Sequence, residues 1–262
     1  MKVFRICFFT ISLFVSANAI AQTPGDIEAS LYKSYKDIHH WRQLRFDTTV
    51  DYQSGLNNAN KVFVEKLKDY AARYPATITQ QLDSLTNAGV AIVSSADGLF
   101  RIYSWDTWGG GTMRHYQNVF QYKVGDKTQS ITGTEIREKE GGGSCLFNQL
   151  YAMNVKGKPY YLAIYGGVYS TRHAGQGIKI FTVENDTLNY AAKLIKTDEG
   201  MQSGLFYSYN SYLAAHLKVR PAIFFDPRTK TVFVPVVNDK GALTGKYTAY
   251  KFTGAYFEKV KS

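Results

Sequence analysis

Residues 146–195 read LFNQLYAMNVKGKPYYLAIYGGVYSTRHAGQGIKIFTVENDTLNYAAKLI. Two apolar runs, Leu146–Val155 and Tyr160–Tyr165, flank Lys156-Gly157-Lys158, and two more, Ile178–Val183 and Leu188–Ile195, flank Asn185-Asp186. Short runs rich in aromatic and β-branched residues, punctuated by Gly, Asn and Asp, are strands joined by hairpin turns. The stretch therefore predicts strand, tight turn, strand, longer loop, strand, tight turn, strand. The same order recurs on both sides of it. Upstream lie Val90–Ser94, Leu99–Trp105, Val119–Val124 and Gln129–Ile136, and downstream Ala222–Phe225, Thr231–Val237, Tyr247–Phe252 and Ala255–Val260.

Repeated four-strand meanders build propeller blades or stacked sheets. The expected fold is α+β, with an N-terminal helical segment followed by a mainly antiparallel, propeller-like β domain. Because three units make a small closed propeller, either Gly204–Leu217 adds a partial blade or the helices complete an open array. A β-sandwich is the alternative architecture. Residues 95–106, SADGLFRIYSWD, are similar to the end of a WD-type propeller repeat. They lack its Gly-His element, and the other two units have no Trp-Asp, so the similarity is one of turn-and-strand chemistry.

The N-terminal third has a different period. Ile27, Leu31, Tyr35, Ile38, Trp41 and Leu44 recur at steps of three and four, the spacing of one helical face. Thr23-Pro24 supplies a cap and a first-turn proline. A second helix starts near Ser54-Gly55, carries Leu56, Phe63, Leu67, Tyr70 and Tyr74, and is stopped by Pro75. A shorter helix is expected from Thr77 to Asn87, ending at Gly89. The domain plan is thus a leader over 1–21, a helical segment over 22–88 and the β domain over 89–262.

The leader reading rests on Lys2 and Arg5, the apolar run Ile6–Val15 and the small residues Ala17, Ala19 and Ala21. A basic start, a short apolar run and an Ala-x-Ala site describe a cleavable secretory signal. The apolar run is shorter than the roughly 20 residues a spanning helix needs. The expected location is extracytoplasmic, periplasmic or secreted, with no transmembrane segment after cleavage. Cys145 is then the single mature cysteine, which excludes an intrachain disulfide, and its apolar surroundings suggest a buried small side chain.

The formal charge of +10 favours anionic partners. Its spread along the chain, with no Lys/Arg block and no nucleic-acid module, argues against nucleic acid. The partners expected are an acidic glycan, an anionic envelope component or a protein. His39-His40 does not read as a metal pair, because adjacent helical residues point about 100° apart. No cofactor or metal motif occurs, so none is expected.

In a meander, the loops between second and third strands share one end of every sheet. Here they are 106–118, 166–177 and 238–246, and loops on a rigid scaffold are where binding residues concentrate. The first carries Trp105, Asp106, Trp108, Arg114 and His115; the second carries Tyr169, Arg172 and His173. Guanidinium forks bind carboxylate or phosphate, and aromatic faces suit a sugar ring. These eight residues are the candidate ligand-binding set. No GxSxG elbow, P-loop or dinucleotide fingerprint is present. The expected function is non-enzymatic binding. The alternatives are a secreted polysaccharide hydrolase or lyase, drawing on Asp97, Asp106, Glu135, Glu138 and Glu140, and a structural or inhibitory envelope protein.

Overall fold

A computed structural model describes residues 23–140, 144–218 and 220–260, so the leader lies outside the described residues. Helix α1 spans Pro24–Gln43 and α2 spans Tyr52–Arg73. Thr23 and Asp26 form a reciprocal capping box at the start of α1, and Asp51 caps α2 by accepting from the Ser54 N–H. Ile27, Leu31, Tyr35 and Ile38 of α1 are buried with Leu56, Phe63 and Leu67 of α2.

The helix expected over Thr77–Asn87 is instead split. A 3-10 turn runs over Pro75–Ile78, and α3 covers only Asp83–Ala88, ending at Gly89 in the left-handed region (φ +110°). The reason is that the Thr77 carbonyl is taken by the sheet: the Arg101 guanidinium donates to it, and the Tyr103 hydroxyl lies 3.2 Å away. Gln121 completes this buried junction, donating to the carbonyl of Ala71 (2.7 Å) and the hydroxyl of Thr77 (2.8 Å). Buried polar groups that all find partners fix one docking geometry.

The first sheet contains β1 (Ala91–Ser94), β2 (Phe100–Asp106), β3 (Tyr116–Val124) and β4 (Lys127–Thr132) in that order. After β4 the chain does not continue as a strand to Ile136. It forms α4, Gly133–Glu140. Thr132 and Glu135 make the capping box: the Thr132 N–H and hydroxyl both donate to the Glu135 carboxylate at 2.7 Å.

The second sheet holds β5 (Leu146–Val155), β6 (Lys158–Val168), β7 (His173–Glu184) and the short β8 (Thr187–Asn189). Both residues of the turns Lys156-Gly157 and Asn185-Asp186 have positive φ, which matches the right-handed twist of the strands they join. The strand expected over Leu188–Ile195 breaks after Asn189. Its later part becomes β9 (Ile195–Thr197), which pairs with β10 (Gly200–Gln202). The chain then returns to the second sheet as β11 (Gly204–Asn210), alongside the first half of β7. After the single turn of α5 (Ser211–Ala214) come β12 (Phe224–Asp226), β13 (Thr231–Val237), β14 (Leu243–Phe252) and β15 (Phe257–Lys259). The third sheet has the order β10-β9-β15-β14-β13-β12, with β15 and β9 parallel.

Among the described residues no sheet closes on itself, and the architecture is α+β with mostly antiparallel strands. Three apolar layers stack the parts. Tyr103, Trp105 and Val119 of the first sheet pack on the helices. Phe100, Ile102 and Phe120 face Tyr161, Ala163 and Phe181 of the second sheet. Leu162, Ile164, Ile178 and Ile180 on its other face meet Ile195, Val232 and Phe257 of the third. The alternation along β2, β6 and β7 follows from the period of two that points successive side chains to opposite faces.

Candidate functional site

The inner face of the second sheet loses side-chain volume toward one end. Along β6 it reads Tyr161, Ala163, Tyr165, Gly167, and directly opposite on β7 it reads Phe181, Lys179, Gly177, Gly175. Rings lie down over these glycines, from neighbouring strands at Gly175 and Gly177 and from the loop after β6 at Gly167. A Cβ at Gly175 would sit 2.6 Å from the Phe206 ring, and one at Gly167 would sit 2.8 Å from the Tyr169 hydroxyl. Tyr165 covers Gly177 in the same way. The Tyr165 and Phe206 rings are nearly parallel (11°, centroids 6.5 Å apart), and Tyr169 meets Phe206 edge-on at 5.8 Å.

Above this floor is a cavity of about 530 Å³. Phe120 and Asn118 of β3 form the opposite wall, with Gly133 and Ile136 of α4; Phe147 and Phe181 close the inner end, and Cys145, His173, Lys179 and Ser208 complete the rim. Six aromatic rings with a few polar groups is the composition of a small-molecule site, and the volume is in the usual range. A hollow of about 590 Å³ against the third sheet is lined by Lys196, Asp198, Glu258 and Lys259 and has only the Tyr250 ring. The aromatic cavity is therefore the stronger candidate. Burial raises the hydroxyl pKa values of Tyr165 and Tyr169, with the nearby Cys145 thiol adding to both, so these hydroxyls stay protonated donors at neutral pH. Among the described residues, no group of three or more His, Cys, Asp or Glu is placed to hold a metal ion.

The three middle loops converge at one end of the β region, and Tyr169 and His173 of the second belong to the cavity lining. The Arg114 N–H donates to the Val168 carbonyl (3.0 Å), the Ser211 N–H to Arg172 (2.9 Å), and the Asn210 N–H to Gly241 (2.8 Å). This chain of backbone bonds ties 107–115, 169–172 and 238–242 together at one end.

Of the eight candidate residues, Tyr169 and His173 line the cavity. His173 is exposed, with Nδ1 3.1 Å from the Ser170 hydroxyl. Trp105 is fully buried under α2, where its indole N–H donates to Asn60 (3.2 Å) and its ring meets Phe63 edge-on at 4.8 Å. It is a core residue, placed on the helix side of β2 with Tyr103. Asp106 accepts from the Trp108 N–H and from Arg114, both at 2.8 Å. Trp108, held at φ +57°, carries the Arg42 guanidinium 3.4 Å from its ring centre and that of Arg114 at 4.9 Å. These rings and charges bind the first loop to α1. His115 and Arg172 are exposed beyond the cavity rim.

Phe206 and Ser208 were outside the candidate set, although Leu205, Tyr207 and Tyr209 alternate with them in a strand pattern. Lys179 is half-buried and lines the cavity, with its ammonium 5.9 Å from the Tyr190 ring. Gly133 and Ile136 belong to α4, whose signal was the Thr132-x-x-Glu135 capping box.

No protein-family model, curated protein or solved structure matches this chain. Among the described residues, no helix is long and apolar enough to cross a membrane.

Proposed function

We propose that this chain is a non-enzymatic binding protein working outside the cytoplasm, with the cavity between the first and second sheets as its ligand site. One observation carries the reading: a cavity of about 530 Å³ is walled by six aromatic rings, with Tyr169 and His173 of the second middle loop in its lining. Among the described lining residues there is no Asp or Glu, whereas glycoside hydrolysis requires two carboxylates across the scissile bond. That favours binding over the hydrolase alternative. The basic, apolar and Ala-x-Ala segments of residues 1–21 support export.

The test uses 1-anilinonaphthalene-8-sulfonate, whose fluorescence rises in apolar sites. The wild-type chain is expected to bind it saturably at one site. Ser208→Trp, which places an indole in the cavity, is expected to abolish the signal with an unchanged thermal midpoint. Equal binding by the variant would remove the cavity from consideration. Cell fractionation with N-terminal sequencing checks export, and a mature chain starting at Gln22 is expected.

A further inference from the structure

We infer that the cavity takes a flat aromatic molecule with a carbonyl oxygen at its ring edge, an aryl carbonyl compound, and this rests on the cavity being the ligand site. The group that selects the oxygen is the Asn118 side chain. Asn118 is 3% exposed, lines the cavity and lies directly opposite Ser104 in the register of β3 on β2. The Phe147 N–H donates to the Ser104 oxygen (3.2 Å), and the single hydroxyl hydrogen of Ser104 goes to Asn118 Oδ1 (2.7 Å). That relay fixes the amide, using its carbonyl end and leaving its NH2 end as the donor. Among the described residues nothing accepts from Nδ2, and the cavity is the space it opens to. A donor held in one orientation in a buried wall calls for a ligand oxygen, because an unmet buried donor bears its full desolvation cost.

The walls select the rest of the molecule. Six of the lining side chains are aromatic, and Ile136 is the one branched aliphatic among them. Tyr165 and Phe206 lie within 11° of parallel on one side, and Phe120 of the first sheet stands on the other. Flat surfaces on two sides fit a flat ring by stacking, whereas an acyl chain or a puckered aliphatic ring leaves gaps against them. A sugar fits less well, because its hydroxyls surround the ring. Among the described lining residues Asn118 is the one buried polar side chain; His173 and Ser208 are exposed, and the Lys179 ammonium is engaged at the Tyr190 ring. Sugar hydroxyls deep in the recess would lose water without replacement. Asn118 lies two residues from Phe120 on the same face of β3, about 7 Å along the strand, which sets the oxygen at the edge of a ring stacked on Phe120.

Equilibrium dialysis of the full chain against three compounds tests the assignment: 2-acetylnaphthalene, 2-ethylnaphthalene, in which a methylene replaces the carbonyl, and 2-acetyldecalin, in which the rings are saturated. A purely apolar recess would prefer the ethyl compound to the ketone. Here 2-acetylnaphthalene is expected to bind about tenfold more tightly than either of the others. Asn118→Leu, of similar volume, should abolish the preference for the ketone over 2-ethylnaphthalene without weakening the latter. The carbonyl stretch of 2-acetylnaphthalene bound to the wild type, read by infrared difference, should fall below its frequency in hexane, a measurement that stands even where the variant fails to fold. Phe206→Ala should weaken both naphthalenes by about tenfold, since stacking serves either. Equal or tighter binding of 2-ethylnaphthalene or 2-acetyldecalin by the wild type, an unshifted carbonyl, or an undiminished preference in Asn118→Leu would overturn the inference. Saturable binding of 1-anilinonaphthalene-8-sulfonate that Ser208→Trp removes, with no binding of 2-acetylnaphthalene, would overturn the aryl carbonyl assignment and leave the cavity reading standing. No binding of any of the four would end both.

Discussion

Gly177→Ala is the most direct probe of how the aromatic floor is built. In a strand, replacing glycine by alanine normally stabilises by about 0.5–1 kcal/mol, because the unfolded chain loses freedom. Gly177 has no positive φ to forbid the change, so the outcome depends on space. The new Cβ would overlap the Tyr165 ring and sit 2.7 Å from the Leu205 carbonyl oxygen. The ring can tilt only by leaving its near-parallel place beside Phe206, and the carbonyl belongs to β11 and cannot rotate away. Overpacking of this kind costs about 1–3 kcal/mol. Clash outweighs propensity, for a net loss of about 1–2 kcal/mol and a fall in Tm of roughly 3–6 °C in a chain of this size. Differential scanning calorimetry reads the shift, and titration of the same sample reads the floor, where ligand affinity should also drop. A variant with an unchanged or higher Tm would refute the reasoning, because the ring would then not be confined over the glycine.

Two further outcomes follow from groups away from the cavity floor. Glu135→Ala removes the α4 capping box and the Lys68 ion pair (2.8 Å), and denaturant unfolding should show a loss of about 1 kcal/mol, with Glu135→Gln losing less. Burial pushes the pKa of His39 below the ordinary value of 6.5 and the Arg42 charge pushes it further, so the unfolded chain takes up a proton that the folded chain resists. Stability is therefore complete above that value and declines as pH drops below it, and His39→Gln should flatten the dependence between pH 5 and 7. The same slope in both proteins would assign the effect to other groups.

Helix starts and tight turns were legible because they are local. Thr23-Pro24 and the stripe from Ile27 to Ile38 specify α1, and Lys156-Gly157 and Asn185-Asp186 specify two hairpins. The fate of Leu188–Ile195 was not legible. Both of its halves suit a strand, and only the pairing of Ile195 with Phe257, more than 60 residues away, sends the second half to another sheet. The end from Gln129 to Ile136 carried two compatible signals, a strand pattern and a capping box, and the contact between Lys68 and Glu135 supports the helix. Trp105 attracted a binding role through its neighbours in sequence. Strand parity groups it with Tyr103, but which side of the sheet receives the helices is decided by the distant Thr77 and Ala71 carbonyls. The cavity was the least legible part, since Gly177 acquires its meaning from Tyr165 on one side and Phe206 on the other, a relation that exists only in register.

That register also explains why the space lies at the loop end. Strand β7 has two partners along one edge. Its later part, Thr182–Glu184, pairs with β8, which delivers the buried Leu188 into the apolar layer beside Phe120, Tyr161 and Phe181. Its earlier part, His173–Lys179, pairs with β11, which delivers Phe206 and Ser208. One end of the interface between the first two sheets is thus filled by side chains standing upright, whereas at the other end Gly167, Gly175 and Gly177 supply none. Apolar rings reduce their exposure by lying on the bare backbone. A recumbent ring covers a glycine but leaves the height above it unfilled. The opposite wall cannot descend to fill that height: β3 is held by Gln121 to α2 and the Thr77 turn, and Asn118 is tied to Ser104. The glycines and the helix-anchored first sheet together maintain an open, flat-floored recess, and its position beside the three joined loops follows from the direction in which β6 and β7 lose their side chains.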